Sequence, residues 1–515
     1  MKILLSVAHS GFLRHFDSAI RLLAERGHSI HISLGRRDKL GDNPQLQQLV
    51  QDYGSVSYSK DYGNFDPTWH FLAKNLRVLI DYLRYFHPSY QDAFLLRERM
   101  ESYLPKWYLG VTKLPIFKNS LFRQVLTRFF QLLLKAIPKN KPIERLIKQE
   151  KPDIILVTPL VEYGSPQDEY IQIAKMNGIK TGLCVGSWDN LTNKGSIRIM
   201  PDLITVWNEA QKQEAVELHG VCPDRVTVTG ALTYDHWFEW QSSTSRAAFC
   251  QEVGLDENQP FVLYLCSSPP IAPRPLEVKF VEKWIRAIRG SELSHLKEIG
   301  ILIRPHPQNA AQWEDVDFSE FGNVAIWPRA GAIPVDASSK SGYYDSMYHS
   351  FAIIGVNTSG QIESAILGRP VFTILAPEFS ASQQGTLHFR HLAQTNGGLL
   401  QMAKDFDEHL AQLSLALGDD ERIKEKSQQF IQYFVRPYGL EVAATPLLVD
   451  AIEQLGAKSP PAPEPLSFWL YALQILLYPL AILSLPNKEK RLQALRQLRK
   501  NLKKRTLPSV ANRKA

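Results

Sequence analysis

Cysteine is scarce and scattered. Cys184, Cys222, Cys250 and Cys266 include no C-x-x-C pair, so they read as four separate thiols, neither a disulfide framework nor a zinc site, and they suit a reducing compartment. No His/Cys cluster and no suitably placed D-x-D motif suggests a metal, and no cofactor is expected. Internal repeats and low-complexity tracts are also missing, which excludes solenoids and fibrous arrays. The opening run "MKILLSVA" is too short and too poorly flanked for a signal peptide. What remains is an ordinary globular composition over 515 residues, too many for one hydrophobic core, so two domains with additional segments are expected.

Negative charge is lacking in two places. Residues 71–150 hold fifteen Lys/Arg against six Asp/Glu, and residues 487–515 hold eleven against one. The whole chain carries +7, so the rest is net −12. The basic balance belongs to two local segments, which fits contact with an anionic surface and not a nucleic-acid channel through the core.

The pattern of elements is α/β. "MKILLSVA", an amphipathic helix within "SGFLRHFDSAIRLLAERGH" and the strand "SIHISL" make an opening βαβ unit. Residues 68–150 are mostly helical and aromatic, are broken by Pro88, Pro105, Pro115 and Pro138, and read as an insertion. The strands "KPDIILVTP", "KTGLCVG", "PDLITVWN" and "DRVTVTGA" complete a first domain over 1–240, and a polar linker follows around Gln241–Ser245. A second domain over 255–456 contains "PFVLYLCSS", a helix at Leu276–Ile288, "GILIRPHP", "NVAIWPR", "FAIIGV" and "VFTIL", with helices over 403–456. A Pro-rich linker at 457–465 precedes the apolar run Leu466–Leu485 and the basic tail, together 466–515. Two such domains place a cleft between the carboxyl ends of parallel strands, where small-molecule chemistry usually sits.

One stretch carries the most chemistry, "GVNTSGQIESAILGRPVF" from Gly355 to Phe372. Thr358 and Gln361 fit a capping box, and Gly368 and Pro370 end the helix. The small residues Thr358, Ser359 and Gly360 would let a diphosphate approach the helix N-terminus, and Glu363, one turn in, would accept hydrogen bonds from ribose hydroxyls. An ordinary capped helix with a solvated Glu is the alternative on local pattern alone.

Four segments together carry a family resemblance: "SGFLRHFDSAIRLLAERGHSI", "RVTVTGALTYD" from Arg225 to Asp235, "IRPHP" from Ile303 to Pro307, and the stretch above. In this order they resemble the GT-B glycosyltransferases, above all bacterial surface-polysaccharide and capsule transferases. "IRPHP" is similar to a segment of the CDP-glycerol glycerophosphotransferases. The Gly355–Phe372 stretch is similar to the donor turn of GT-B enzymes and of UDP-N-acetylglucosamine 2-epimerases. The resemblance implies a GT-B-like fold, two Rossmann-like doubly wound domains about a central cleft. It also implies transfer of a sugar from a nucleotide-sugar donor to a lipid-linked or polysaccharide acceptor of the cell envelope. Polyol-phosphate transfer, epimerisation of a nucleotide-bound amino sugar and a catalytically inactive scaffold in an envelope complex stay open.

By this resemblance Thr358, Ser359 and Gly360 hold the donor phosphates and Glu363 the ribose. Arg304 and His306 end a strand, where ligands of open sheets bind, and would neutralise a leaving nucleotide; a structural His between prolines is the other reading of His306. Ser267 and Ser268 either bond phosphate or only end their strand. In "SWDNLTNKG", Trp188 offers a face to a sugar, Asp189 a base, and Asn190 and Lys194 further donors, with a capped loop as the plainer account. In "AHSGFLRHFD", family enzymes keep an acceptor or base residue, and Gly11, Arg14, His15 and Asp17 are the candidates, although Phe12 stands where some members carry His. His15, paired with Asp17 or Asp189, is the expected base. Donor binding is expected to need no metal.

The run Leu466–Leu485 is uncharged and just long enough to span a bilayer core, yet Pro479 interrupts it, and a crossing would place the basic tail outside. It is expected to lie on the cytoplasmic face of a membrane, with Leu492, Leu495, Leu498 and Leu502 striping a basic helix over anionic lipid. The insertion is the expected second contact.

Overall fold

The computed structural model describes residues 1–35, 43–60, 67–334, 336–418, 421–487 and 489–496. Short apolar runs become parallel strands because helices cover both faces of each sheet. The first sheet contains β1 Lys2–Val7, β2 Ser29–Leu34, β3 Val56–Lys60, β4 Ile154–Thr158, β5 Lys180–Cys184, β6 Leu203–Val206 and β7 Val226–Val228. The second contains β8 Phe261–Leu265, β9 Gly300–Arg304, β10 Val324–Ile326, β11 Ala352–Gly355, β12 Val371–Ile374 and β13 Gln401–Ala403. The orders are β3-β2-β1-β4-β5-β6-β7 and β10-β9-β8-β11-β12-β13, and neighbouring strands pair in parallel throughout. Each order reverses once, between β1 and β4 and between β8 and β11. The chain therefore has two Rossmann-like doubly wound domains, with a topological switch point in each.

The chain then crosses back. The helix Ala444–Ala457 buries Leu448, Val449, Ile452 and Leu455 in the first domain's core beside Ile3, Leu5, Ile20 and Leu23. Asp235 holds its first turn, accepting from the Ala444 and Thr445 amides at 2.9 and 2.7 Å. The expected boundary at 456 assigned this helix to the second domain; its apolar stripe finds its partners on the first.

The insertion is anchored by buried charge. From the helix Pro67–Arg84, Arg77 pairs with Asp168 at 3.0 Å and Glu169 at 2.6 Å, and Asp81 takes Arg198 at 2.7 Å. Arg198 also reaches Asp168, at 3.1 Å. The opposite side of the same helix packs with the helix Ser120–Ala136 and a C-terminal helix Phe468–Leu483, through Trp69, Leu72, Leu76, Leu133, Leu470 and Leu477. This C-terminal helix is the expected apolar run, 16 residues long with Pro479 inside it. Among the described residues no helix is long and apolar enough to cross a membrane. Leu498, Leu502 and the rest of the basic tail from 497 lie outside the described residues.

Candidate functional site at the facing sheet ends

The first switch point opens after β1, where the chain makes a 3-10 turn over Ser10–His15. His15 is half-buried, with Nδ1 3.0 Å from Thr233 Oγ1, and its Nε2 accepts from Arg14 Nε at 3.4 Å. These contacts fit the tautomer protonated at Nδ1. Burial, reinforced by Arg14, pulls the imidazole down to about 3, and Asp189 is the carboxylate that opposes the fall. His15 is thus a neutral ring at physiological pH. Asp17 is committed elsewhere: it accepts from Arg21 Nε at 2.9 Å and Gln45 Nε2 at 3.0 Å. Of the two carboxylates expected beside His15, Asp189 is the one that acts on it. Gly11 and Arg14 are exposed on the turn.

The loop after β5 holds Asp189. Its carboxylate accepts from Ser187 Oγ at 2.6 Å and Asn193 Nδ2 at 2.7 Å. Burial by itself would raise its pKa, but Lys194, His388 and these hydrogen bonds outweigh it, so Asp189 sits below the usual aspartate range and stays ionised. The Lys194 ammonium lies 5.5 Å over the Phe12 ring. Asn190 is 1% exposed and its side-chain amide reaches Asp189 at 3.5 Å, so it supports the loop from inside. The insertion carries the loop from below: Arg84 donates to the carbonyls of Leu191, at 2.7 Å, and Lys194, and the Tyr85 hydroxyl donates to the Lys194 carbonyl at 2.9 Å.

Trp188 leaves no open face for a sugar. It is 4% exposed and packs in a cluster with Leu265 and Ile362 of the second domain. Its Nε1 donates to Ser359 Oγ at 3.1 Å, and its ring meets His388 edge-on, centroids 5.2 Å apart. It bridges the domains.

The second switch point lies between β8 and β11. The helix after β11, Gly360–Ile366, has half of the expected capping box: Gln361 Oε1 takes the Thr358 amide at 3.1 Å, but Thr358 Oγ1 takes the Gly360 amide at 3.4 Å. A Cβ on Gly360 would lie 2.7 Å from Leu265 Cδ1 and 3.0 Å from the Tyr343 hydroxyl, so close packing on the end of β8 already requires glycine here. Glu363 accepts from the Tyr343 hydroxyl at 2.5 Å. Burial raises its pKa, while Tyr343 and Arg14 act the other way. The charge of Arg14 on the first domain therefore reaches Glu363 of the second.

Arg304, at the end of β9, is 5% exposed and lies between the Trp327 and Tyr343 rings, 5.1 Å from each centroid. It donates to the Gly342 carbonyl at 3.3 Å. Burial lowers its pKa to about 10, so it remains a cation. His306 does not share this position: its Nδ1 accepts from the Gln308 amide at 3.2 Å, capping a 3-10 turn, and burial lowers its pKa. Ser267 is fully buried and gives its amide to Glu277 at 2.7 Å, while the Ser268 carbonyl accepts from Ile271 and Ala272 at 2.9 and 3.0 Å. These residues shape the turn after β8.

No family model and no curated protein matches the sequence. Solved structures do match. A glycosyltransferase from Rickettsia africae ESF-5 superposes with a TM-score of 0.51 at 11% identity, covering 89% of this chain and 99% of that one. A UDP-N-acetylglucosamine 2-epimerase superposes with a TM-score of 0.50 at 14% identity, covering 91% and 99%. The chain has the GT-B fold.

In this GT-B arrangement Arg14, His15, Asp189 and Lys194 come together on the first domain, and Ser359, Glu363 and Arg304 on the second. Asp17, Asn190, Ser267 and His306 are engaged in local structure. Two further residues lie with them. Tyr343 links Arg304 to Glu363. His388, 5% exposed and lowered to about 4 by burial, lies near Asp189 and takes Asn357 at 3.3 Å. Neither sits in a motif; "SGYYDSMY" and "TLHFRHL" read as plain helix and loop. A cavity of about 470 Å³, lined in part by Arg246, His349 and Arg369, opens at the amino ends of β8, β11 and β12, the opposite edge of the sheet from these residues.

Proposed function

We propose that this protein is a glycosyltransferase that moves a sugar from a nucleotide-activated donor to a cell-envelope acceptor. One arrangement carries the reading: the Asp189 loop of one domain, which acts on His15, meets the helix start of the other where Trp188 bonds Ser359, and Arg14 acts on Glu363, at the carboxyl ends of two doubly wound sheets. In an inverting transfer, the acceptor hydroxyl gives its proton to Asp189 and its oxygen attacks the anomeric carbon. The bond from that carbon to the donor diphosphate breaks. Arg304, Arg14 and the Ser359 hydroxyl offset the charge that grows on the departing phosphate, and Glu363 holds the ribose. Lys194 keeps Asp189 ionised beside the acceptor. His15 positions the turn through Thr233.

The test is to incubate the full chain with UDP-, GDP-, CDP- and CMP-linked donors, with and without a lipid-linked acceptor, and measure free nucleotide and donor isomers. Nucleotide release that depends on acceptor supports the transfer. Isomerised donor without release supports epimerisation instead. Failure to bind any donor overturns both.

A further inference from the structure

The helix Phe468–Leu483 carries no charge and one side-chain amide, Gln474. Leu470, Leu477 and Ala481 are buried on the insertion. The opposite side is bare: Phe468 is 88% exposed, Ile475 74%, Leu476 72% and Leu483 62%. A soluble helix is normally polar on its outer side, so this face calls for an apolar partner. The helix it packs on, Ser120–Ala136, also leaves Leu121, Val125 and Phe129 exposed at a spacing of four residues. The turn before that helix exposes Leu114 and Ile116.

In the sequence both segments are strongly basic. Between Glu101 and Glu144 the insertion has eight Lys or Arg and no acid. From Pro465 to Ala515 a single acid, Glu489, stands against eleven Lys or Arg. The C-terminal helix packs on the insertion through Leu470, Leu477 and Leu133, and the Lys490 ammonium lies 5.7 Å over the Phe71 ring of the insertion. Long basic side chains beside bare apolar residues can bury their stems and keep their heads at a charged interface.

We propose that the C-terminal helix and the insertion form one composite surface that docks on the interface of an anionic phospholipid bilayer, partly buried in it and not crossing it. A bilayer supplies what both segments require, an apolar interior beneath a negative headgroup layer. A span is excluded by geometry. At 16 residues the helix is about 24 Å long, short of a bilayer core of about 30 Å, and one side is already occupied by protein. The helix Pro67–Arg84 relays this docking to the site. Its first half packs on the C-terminal helix, and its last residue, Arg84, holds the Asp189 loop, about 12 Å further along the axis from Leu76. Docking thus sets the first-domain side of the site beside the lipid interface. The surface stands on its own observations; only the delivery of a lipid-linked acceptor to it rests on the transferase reading.

The experiment is flotation of the full chain on a density gradient, without donor or acceptor, with vesicles of phosphatidylcholine alone or mixed with phosphatidylglycerol. The parent should float with the mixed vesicles and be released by high salt. The double variant Ile475→Glu/Leu476→Glu should lose roughly a hundredfold in partitioning. Its melting temperature should not change, because both side chains are bare. Leu121→Glu/Val125→Glu should show a smaller loss of the same kind. A parent that stays at the bottom with both vesicle types overturns the proposal, as do variants that float like the parent. So does a parent that does not float and is a dimer whose variants are monomers, since the face would then be an interface between copies. None of these outcomes bears on nucleotide release, so the transferase reading is tested separately.

Discussion

Trp188 and Ser359 join the two domains. The indole Nε1 of the first-domain loop donates to the hydroxyl that starts the second-domain helix, 3.1 Å away, with the ring 4% exposed. Any separation of the domains at this point must uncover a large aromatic surface and break a hydrogen bond.

Trp188→Phe keeps most of the ring and removes the donor, so it should cost about 1 kcal/mol. Trp188→Ala should cost about 3–5 kcal/mol, the usual range for emptying a large aromatic site. Urea denaturation followed by circular dichroism measures both. Equal losses in the two variants would show that the hydrogen bond, and not the buried ring, holds the contact.

The second prediction concerns the insertion. Asp81 is fully buried, takes Arg198 at 2.7 Å and also accepts the Gly164 and Ser196 amides at 2.9 and 2.8 Å. Asp81→Ala leaves Arg198 with Asp168 as its one carboxylate beside the Ser165 carbonyl and strands two amides, and should destabilise the protein by about 3–5 kcal/mol. The Asp189 loop should loosen as well, because Arg84 on the same helix carries it. Protease cleavage near Gly195 reports that loosening; an unchanged cleavage pattern would separate the helix from the loop.

The fold was legible because period and length agree in buried parallel strands. "FVLYL" is an uninterrupted apolar run of strand length, and "ILLSV" and "GILIR" carry one polar residue each. β3 and β13 escaped notice for opposite reasons: "VSYSK" alternates polar residues at a sheet edge, and "QMA" is too short to show a period. In the site, the residues at strand ends were visible as polar breaks after apolar runs. Their partners were not. Gly360 reads as room for a phosphate, yet its contacts are Leu265, almost a hundred positions earlier, and Tyr343. Likewise His306 lies two residues beyond Arg304, but one is a cap and the other a buried cation between rings. Such distinctions depend on tertiary neighbours, which local pattern does not encode.

Glu277 makes stability depend on pH. It is fully buried, accepts the Ser267 amide at 2.7 Å, and burial pushes its carboxyl up to about 8 from 4.5. Between those values the unfolded chain has released a proton that the folded chain keeps. Its contribution is therefore complete below about pH 4.5 and is lost as pH rises toward 8, by a few kcal/mol. Glu277→Gln should flatten this slope, seen as a melting temperature that no longer falls between pH 5 and 8 relative to the parent. A variant with the parent's slope would show that other groups set it.

The last prediction separates the two base candidates. His15 is held near 3 by burial and Arg14, so from about pH 6.5 down to 3 the unfolded chain takes up a proton that folded His15 refuses. That contribution to stability is present above 6.5 and is lost on acidification through this window, and His15→Asn should remove the corresponding slope. A ring already neutral across the working range gains nothing from pH 5 to 8, so its replacement should leave the shape of the kcat/KM profile unchanged and lower kcat by less than about tenfold. Asp189 is different. It is ionised, fixed by Ser187 and Asn193, and electrostatically coupled to Lys194, His388 and His15 at the meeting of the domains. Asp189→Asn keeps the shape but removes the charge and one acceptor, and should lower kcat by about 10²–10⁴ with little change in donor affinity. The comparison is made on folded protein with acceptor-dependent nucleotide release as the rate and calorimetric donor binding as the control. If His15→Asn suffers the larger loss and the acid limb of the profile moves with it, the proton passes through the imidazole, and Asp189 only orients it.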